Sequence, residues 1–199
     1  MFWSARVKSI KRSLFTLASG VLLASSVYGA DKFQAFPVFN DPNFKPNIEV
    51  ALIGGYVGFA NSDLDSGSMY GVEVSLDCPV FTLPGDNLIR QQLSINKYSK
   101  NSVDVTTIEM NPYYFTHLSK DLVFGFGPGI GAALVDAPGQ ETWLFTYQAG
   151  AGLKYYINKD VLVGVDVRWQ GSVEKDYTDS GKKDNLNNTR TLAKVGYRF

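Results

Sequence analysis

The feature that most constrains this chain is a two-residue period in side-chain character, sustained over segments of about ten to fifteen residues. Across 142–157, Trp143, Phe145, Tyr147, Ala149, Ala151, Leu153 and Tyr155 share one parity, while Thr146, Gln148, Gly150, Gly152 and Lys154 share the other. Across 160–173, Val161, Val163, Val165, Val167 and Trp169 oppose Gly164, Asp166, Arg168 and Gln170. Across 68–80, Tyr70, Val72, Val74, Leu76, Cys78 and Val80 oppose Gly71, Glu73, Ser75 and Asp77. Alternation of this kind puts one set of side chains on each face of a strand, whereas a helix needs apolar residues three and four apart. Eight such segments are legible, at 47–60, 68–80, 87–97, 102–116, 121–135, 142–157, 160–173 and 188–199, each bounded by Gly, Pro, Asn, Asp or Ser. The first and fourth are less regular. The segment 102–116 reads as changing parity near Thr107, which predicts either a bulge or a misplaced start.

Alternation alone also fits an antiparallel sandwich with one wet face. Connection lengths favour a different architecture. Along the chain they read long, short, long, short: "NSDLDSG", "LVDAPGQE" and "SVEKDYTDSGKKDNLNN" read as loops, "HLSKD" and "INKD" as tight turns, with "YSKNS" a modest loop and "FTLPGDN" a generous turn. An even number of strands, with loops gathered at one end and turns at the other, is expected of an outer-membrane barrel. Large aromatics also sit toward strand ends, with Phe59, Tyr70, Trp143 and Trp169 near the loops and Phe81, Tyr114, Tyr155 and Phe199 near the turns. Two such girdles suit amphipathic rings at the two headgroup levels of a bilayer. The predicted fold is all-β: an eight-stranded antiparallel transmembrane β-barrel of up-and-down topology.

The N-terminus agrees with export. Arg6, Lys8, Lys11 and Arg12 precede the apolar run Leu14 to Ala24 and the small-residue stretch "SSVYGA", the pattern of a secretory signal peptide. The predicted organisation is a signal peptide over 1–30, cut after Gly29 or Ala30, a periplasmic lead-in over 31–46 carrying Phe33, Phe36, Phe39 and Phe44, and a barrel domain over 47–199. Removing the four leader bases leaves 15 Lys and Arg against 19 Asp and Glu, a balance that argues against a nucleic-acid partner. Cys78 is the lone cysteine, so no internal disulfide forms, and it reads as a small apolar filler.

The chain ends "TRTLAKVGYRF". An exposed terminal Phe gains nothing in water, so the last strand is expected to present Val195, Tyr197 and Phe199 to lipid, with Lys194 and Arg198 turned inside. By the same parity the barrel interior is predicted to hold Glu73, Asp77, Arg90, Glu109, Lys154, Asp166, Arg168, Arg190, Lys194 and Arg198. Four acids then face six bases. An eight-stranded interior is just wide enough for side chains to fill, and charges withdrawn from water need partners, so the expected state is an ion-paired, hydrated plug. The glycines of "GFGPGIG" are not a phosphate loop, because no helix follows. Gly125, Gly127, Gly129 and Gly131 are instead inward positions left small for long polar neighbours, and Pro128 on the opposite face predicts a local bulge.

The signal peptide, eight strands, "YQAGAGLKYYINKDVLVGVDVRW" and closing "LAKVGYRF" together resemble the small eight-stranded outer-membrane barrels of Gram-negative bacteria: the OmpA transmembrane domain, OmpX, OmpW and the opacity-type proteins. The resemblance is architectural and covers nearly the whole mature chain. It implies bacterial outer-membrane localisation with both termini periplasmic and four external loops. The function it implies is structural and surface-interacting, with passage of small solutes as an added reading. The terminus also resembles the signal, here Val195, Tyr197 and Phe199, that outer-membrane assembly machinery reads. Expected partners are that machinery, outer-membrane lipid and lipopolysaccharide. No cofactor and no metal site is expected: the loop acids Asp63, Asp65, Asp136, Glu174, Asp176, Asp179 and Asp184 read as solvated surface. The alternative from another class is a lipid A acyl hydrolase like PagL, whose resemblance implies His-x-Ser-Asn. Here His117 and Ser119 stand in that spacing, but Lys120 follows and the position precedes the fifth strand. Catalytic residues are therefore not expected.

Overall fold

Each alternating segment is a strand. The computed structural model describes residues 34–60, 64–83, 88–177 and 183–199; the signal peptide over 1–30 and Phe33 lie outside them. A short β1 (Gln34–Ala35) and a one-turn helix α1 (Pro37–Asn40) precede β2 (Glu49–Phe59) and β3 (Gly67–Asp77). A short β4 (Phe81–Thr82) then leads to β5 (Leu88–Lys100), β6 (Val103–His117), β7 (Leu122–Ala137), β8 (Gln140–Tyr156), β9 (Val161–Ser172) and β10 (Asn188–Arg198). The long strands close in the order β10-β2-β3-β5-β6-β7-β8-β9, every neighbour pair antiparallel, and β10 pairs with β9 as well as β2. Closure leaves no unpaired sheet edge, the condition for a sheet to sit in hydrocarbon.

The outer face is apolar. Leu52, Val72, Ile95, Ile108, Ile130, Phe145, Val165, Val167 and Val195 are all exposed. A contiguous belt this extensive is far beyond what a water-soluble monomer exposes, and it sits on the parity opposite the charges. Tyr70, Trp143 and Trp169 mark one rim, and Phe81, Tyr155, Tyr197 and Phe199 the other. Phe59 corrects one assignment: it has the inward parity and packs edge-on to Tyr98, ring centroids 5.1 Å apart, beneath the loops.

Three further expectations change. The parity of β6 is constant, with Val105, Thr107, Glu109, Asn111, Tyr113 and Phe115 all buried, so there is no bulge at Thr107. The irregularity arose because this inward face is apolar at both ends and polar only in the middle. Nor is there a bulge at Pro128. Between β6 and β7 the register runs to Met110 opposite Ile130 and resumes at Tyr114 opposite Phe126 with unchanged offset. Pro112 and Pro128 fall opposite each other inside that gap, and neither has an N–H to give the ladder. Finally, "LVDAPGQE" is mostly strand: Val135 pairs with Thr142 and Asp136 with Glu141, leaving only Pro138 and Gly139 as the turn. Gly139 has φ 89°, a conformation glycine adopts without strain. The β5–β6 connection is likewise two residues, Asn101 and Ser102, both with positive φ, as a hairpin with right-handed strand twist requires. The contrast between the two ends rests on the β9–β10 connection, 173–187, because at the turn end the β3–β5 connection, 78–87, is longer than 60–66.

The lead-in is tied down beneath the turn end. β1 pairs with β4, the Phe36 amide donates to the Val80 carbonyl at 2.6 Å, and Phe36 and Phe39 remain exposed. Cys78 is buried just past β3.

Candidate functional site

The inward parity of the strands carries the charges, and the fold brings them together in two layers. In the middle, the Arg168 guanidinium, fully enclosed, donates to Glu73 at 2.6 Å, Asp166 at 2.8 Å and Glu109 at 3.3 Å. Lys194 Nζ joins Glu73 at 2.8 Å and Asp166 at 2.6 Å, and Arg190 pairs with Glu109 and donates to Gln170 at 2.9 Å. Gln92 Oε1 accepts a further Arg168 N–H at 3.2 Å. Three carboxylates meet three cations, so this layer is neutral. Burying charges costs several kcal/mol per ion unless geometry and hydrogen bonds are good. Here each carboxylate accepts from at least two groups.

Glycines make the room. A Cβ at Gly152 would overlap Asp166 Oδ1, and one at Gly150 would overlap the Tyr113 hydroxyl and meet Arg168 Cγ at 2.8 Å. The ring of Tyr113 lies under Arg168, 5.7 Å from centroid to Cζ.

The second layer sits at the turn end around Glu49. Its carboxylate takes Arg90 at 3.1 Å, Lys154 at 3.0 Å, Arg198 at 2.8 Å and the Tyr156 hydroxyl at 2.8 Å. Arg90 also reaches Asp77 at 3.3 Å and donates to Ser75 Oγ at 3.1 Å. Arg198 lies over the Tyr156 ring at 4.1 Å. All ten interior residues singled out in the sequence thus occur in these two layers. Sequence reasoning missed Glu49, the hub of the second. Its signal was weak: Glu49 opens β2, whose other inward positions include Ala51, Ile53 and Val57, so charge did not mark that face.

Toward the loop end the interior turns apolar. Val57, Met69, Tyr98, Val105, Val135, Leu144 and Leu192 form one buried cluster with Leu64 from the β2–β3 loop and Tyr177 and Leu186 from the β9–β10 loop. The described parts of that second loop, 173–177 and 183–187, fold over the barrel, with Lys175 Nζ donating to the Trp143 carbonyl at 2.7 Å and the Leu186 amide to Ser172 Oγ at 2.8 Å. An oily cap above an ionic middle was not foreseen. Its lower part comes from the loop-end inward positions of the strands, and Leu64, Tyr177 and Leu186, which close it, come from loops that carry no periodicity.

His117 ends β6, and Ser119 lies in the turn that follows. The Ser119 hydroxyl accepts the Leu122 amide at 3.2 Å, and among the described residues no hydrogen bond joins it to His117. A nucleophile and base need that bond and a third orienting group. On β10, Val195, Tyr197 and Phe199 are exposed, with the two rings packed edge-on at 5.1 Å. Of the loop acids, Asp63 and Asp179 lie outside the described residues. Asp65 accepts from Asn101, Asp136 pairs across β7–β8 with Glu141, and among the described residues no three His, Cys, Asp or Glu side chains converge as a metal site.

A closed eight-stranded barrel, apolar outside and ion-paired within, has the fold of the small outer-membrane β-barrels. Among solved structures it is similar to Neisserial surface protein A, at TM-score 0.51 and 14% identity over 76% of this chain and 96% of that one. It is equally similar to Ail, the attachment invasion locus protein of Yersinia pestis, at TM-score 0.51 and 14% identity over 78% of this chain and 100% of that one. No protein-family model matches the chain, nor does any curated protein sequence.

Proposed function

We propose that this protein is an integral component of a bacterial outer membrane, with both termini periplasmic, acting as a sealed wall element that presents its loops as a contact surface. The observation that supports this most is the filled interior. Arg168, Arg190 and Lys194 are bonded to Glu73, Glu109 and Asp166 across the lumen, and the loop-end cap of Leu64, Tyr177 and Leu186 lies above them. A continuous water path would have to displace those pairs from the lumen and wet that cluster, and exposing its apolar surface costs about 25 cal/mol per Å². Lipid and lipopolysaccharide are its proposed surroundings, and the assembly machinery is the proposed reader of Val195, Tyr197 and Phe199. Passage of small solutes is the weaker half of this reading. Planar-bilayer recording tests it: the refolded chain is expected to give a flat baseline over a wide voltage range, and discrete steps that vanish in an Arg168 variant would assign a gated conductance instead. The hydrolase alternative rests on His117 and Ser119 alone. It predicts that His117→Ala and Ser119→Ala change lipid A acylation in cells, whereas the wall reading predicts no change.

A further inference from the structure

We infer that the turn end of the barrel holds a binding site for a phosphate ester with a short apolar tail. A cavity of about 490 Å³ opens there, and its lining includes Arg90, Arg198, Lys120 and Lys159 against a single carboxylate, Asp121. Two of these cations are fixed in place. Arg90 is 3% exposed and spans Glu49 and Asp77, and Arg198 is held between Glu49 and the Tyr156 ring. The other two come from the tight connections β6–β7 and β8–β9, and among the described residues neither Lys120 nor Lys159 forms an ion pair.

Charge bookkeeping over the cavity and the layer behind it gives the ligand its sign. Arg90, Lys154, Arg198, Lys120 and Lys159 face Glu49, Asp77 and Asp121. The middle layer is neutral, so this excess of two positive charges is not balanced from above, and Asp160, whose carbonyl accepts the Arg198 amide at the rim, offsets only one of them. Cations along a low-dielectric wall concentrate an anion far more strongly than the same charges in open water. A phosphate monoester, with charge near two and several acceptor oxygens, matches the two ammonium groups and the open edge of Arg198 better than a carboxylate does, while Arg90, whose donors are taken by Glu49, Asp77, Ser75 and the Asn47 carbonyl, contributes positive potential. The remaining wall is mixed: His117, Asn158 and Tyr156 add polar atoms, and Leu88, Phe115 and Val123 form an apolar strip in which Phe115 and Val123 are buried. That strip gives a short alkyl segment somewhere dry to lie. The phosphate ester could belong to a lipid headgroup of the adjoining leaflet or to a soluble metabolite, and the chemistry recognised is the same.

The test uses the full mature chain, isotopically labelled and refolded into nanodiscs of zwitterionic lipid. Butyl phosphate is titrated against amide resonances, with inorganic phosphate and butanol as comparisons. The site predicts saturable shifts confined to the turn end, around Leu88, the 117–121 and 156–160 turns and Arg198. Butyl phosphate should bind more tightly than inorganic phosphate, and butanol should be silent. Replacing both exposed lysines, Lys120→Gln with Lys159→Gln, should weaken binding about tenfold without altering the rest of the spectrum. Nanodiscs containing phosphatidic acid, a lipid phosphate monoester, separate the sources: a lipid ligand pre-occupies the site and abolishes the titration, while a soluble ligand still titrates. No saturable shift, an unchanged affinity in the double variant, or an equal response to butanol would overturn the proposal.

Discussion

Arg168 is the residue on which the interior turns. It touches three carboxylates contributed by β3, β6 and its own strand, so its loss strands negative charge from three directions. Replacing it with Met is expected to destabilise the barrel by about 3–5 kcal/mol, read as a lower urea midpoint for unfolding from lipid vesicles. Adding Glu73→Gln should recover part of that loss, because one uncompensated charge is then removed. Gly152 offers a steric counterpart. Gly152→Ala would push a methyl into Asp166 and is expected to cost about 1–3 kcal/mol, seen as a lower temperature for loss of the compact form on unheated gels. At this scale the sequence was legible wherever a strand had one oily and one charged face, as with Asp166 and Arg168 among the valines of β9. Glu49 and Phe59 were misjudged for one reason: β2 lines both the ionic layer and the apolar cap, so its inward face mixes Glu with Ala, Ile and Val.

Strand β10 shows most clearly how an element serves two solvents. Its inward residues Arg190, Leu192 and Lys194 are buried while Val195 and Tyr197 face outward, and its pairing with both β2 and β9 closes the barrel. Deleting Phe199 removes one exposed ring, its edge-on contact with the exposed Tyr197 and one rim hydrogen bond from its amide to the Ile48 carbonyl, and no buried side-chain contact. The account predicts a several-fold fall in membrane-inserted protein in cells, by fractionation, with urea stability of the refolded barrel within about 0.5 kcal/mol of the parent. A loss of stability as large as the loss of insertion would mean that the residue acts by packing. The less legible elements were those whose boundaries depend on pairing. Residues 134–141 contain Pro and Gly and so resembled a loop, yet the cross-strand partners of Val135 and Asp136 extend the ladder to within two residues of the turn. Register is a property of two strands, and no single stretch of sequence contains it.

For the molecule as a whole, the eight-fold count of alternating segments carried the architecture, because only closure satisfies every backbone group of such strands in lipid. The layering inside, an oily cap over a neutral ion cluster over a basic mouth, was not legible, since it depends on which loops fold inward. Everything rests on the orientation of the two faces. Spin labels on cysteines introduced at Leu52, Ile95 and Val165 in a Cys78→Ser background, reconstituted in lipid vesicles, measure it most directly through relaxation by oxygen and by a water-soluble nickel complex. The account predicts strong oxygen and weak nickel access at all three positions. Strong nickel access there would mean that the apolar face meets water, and would contradict it.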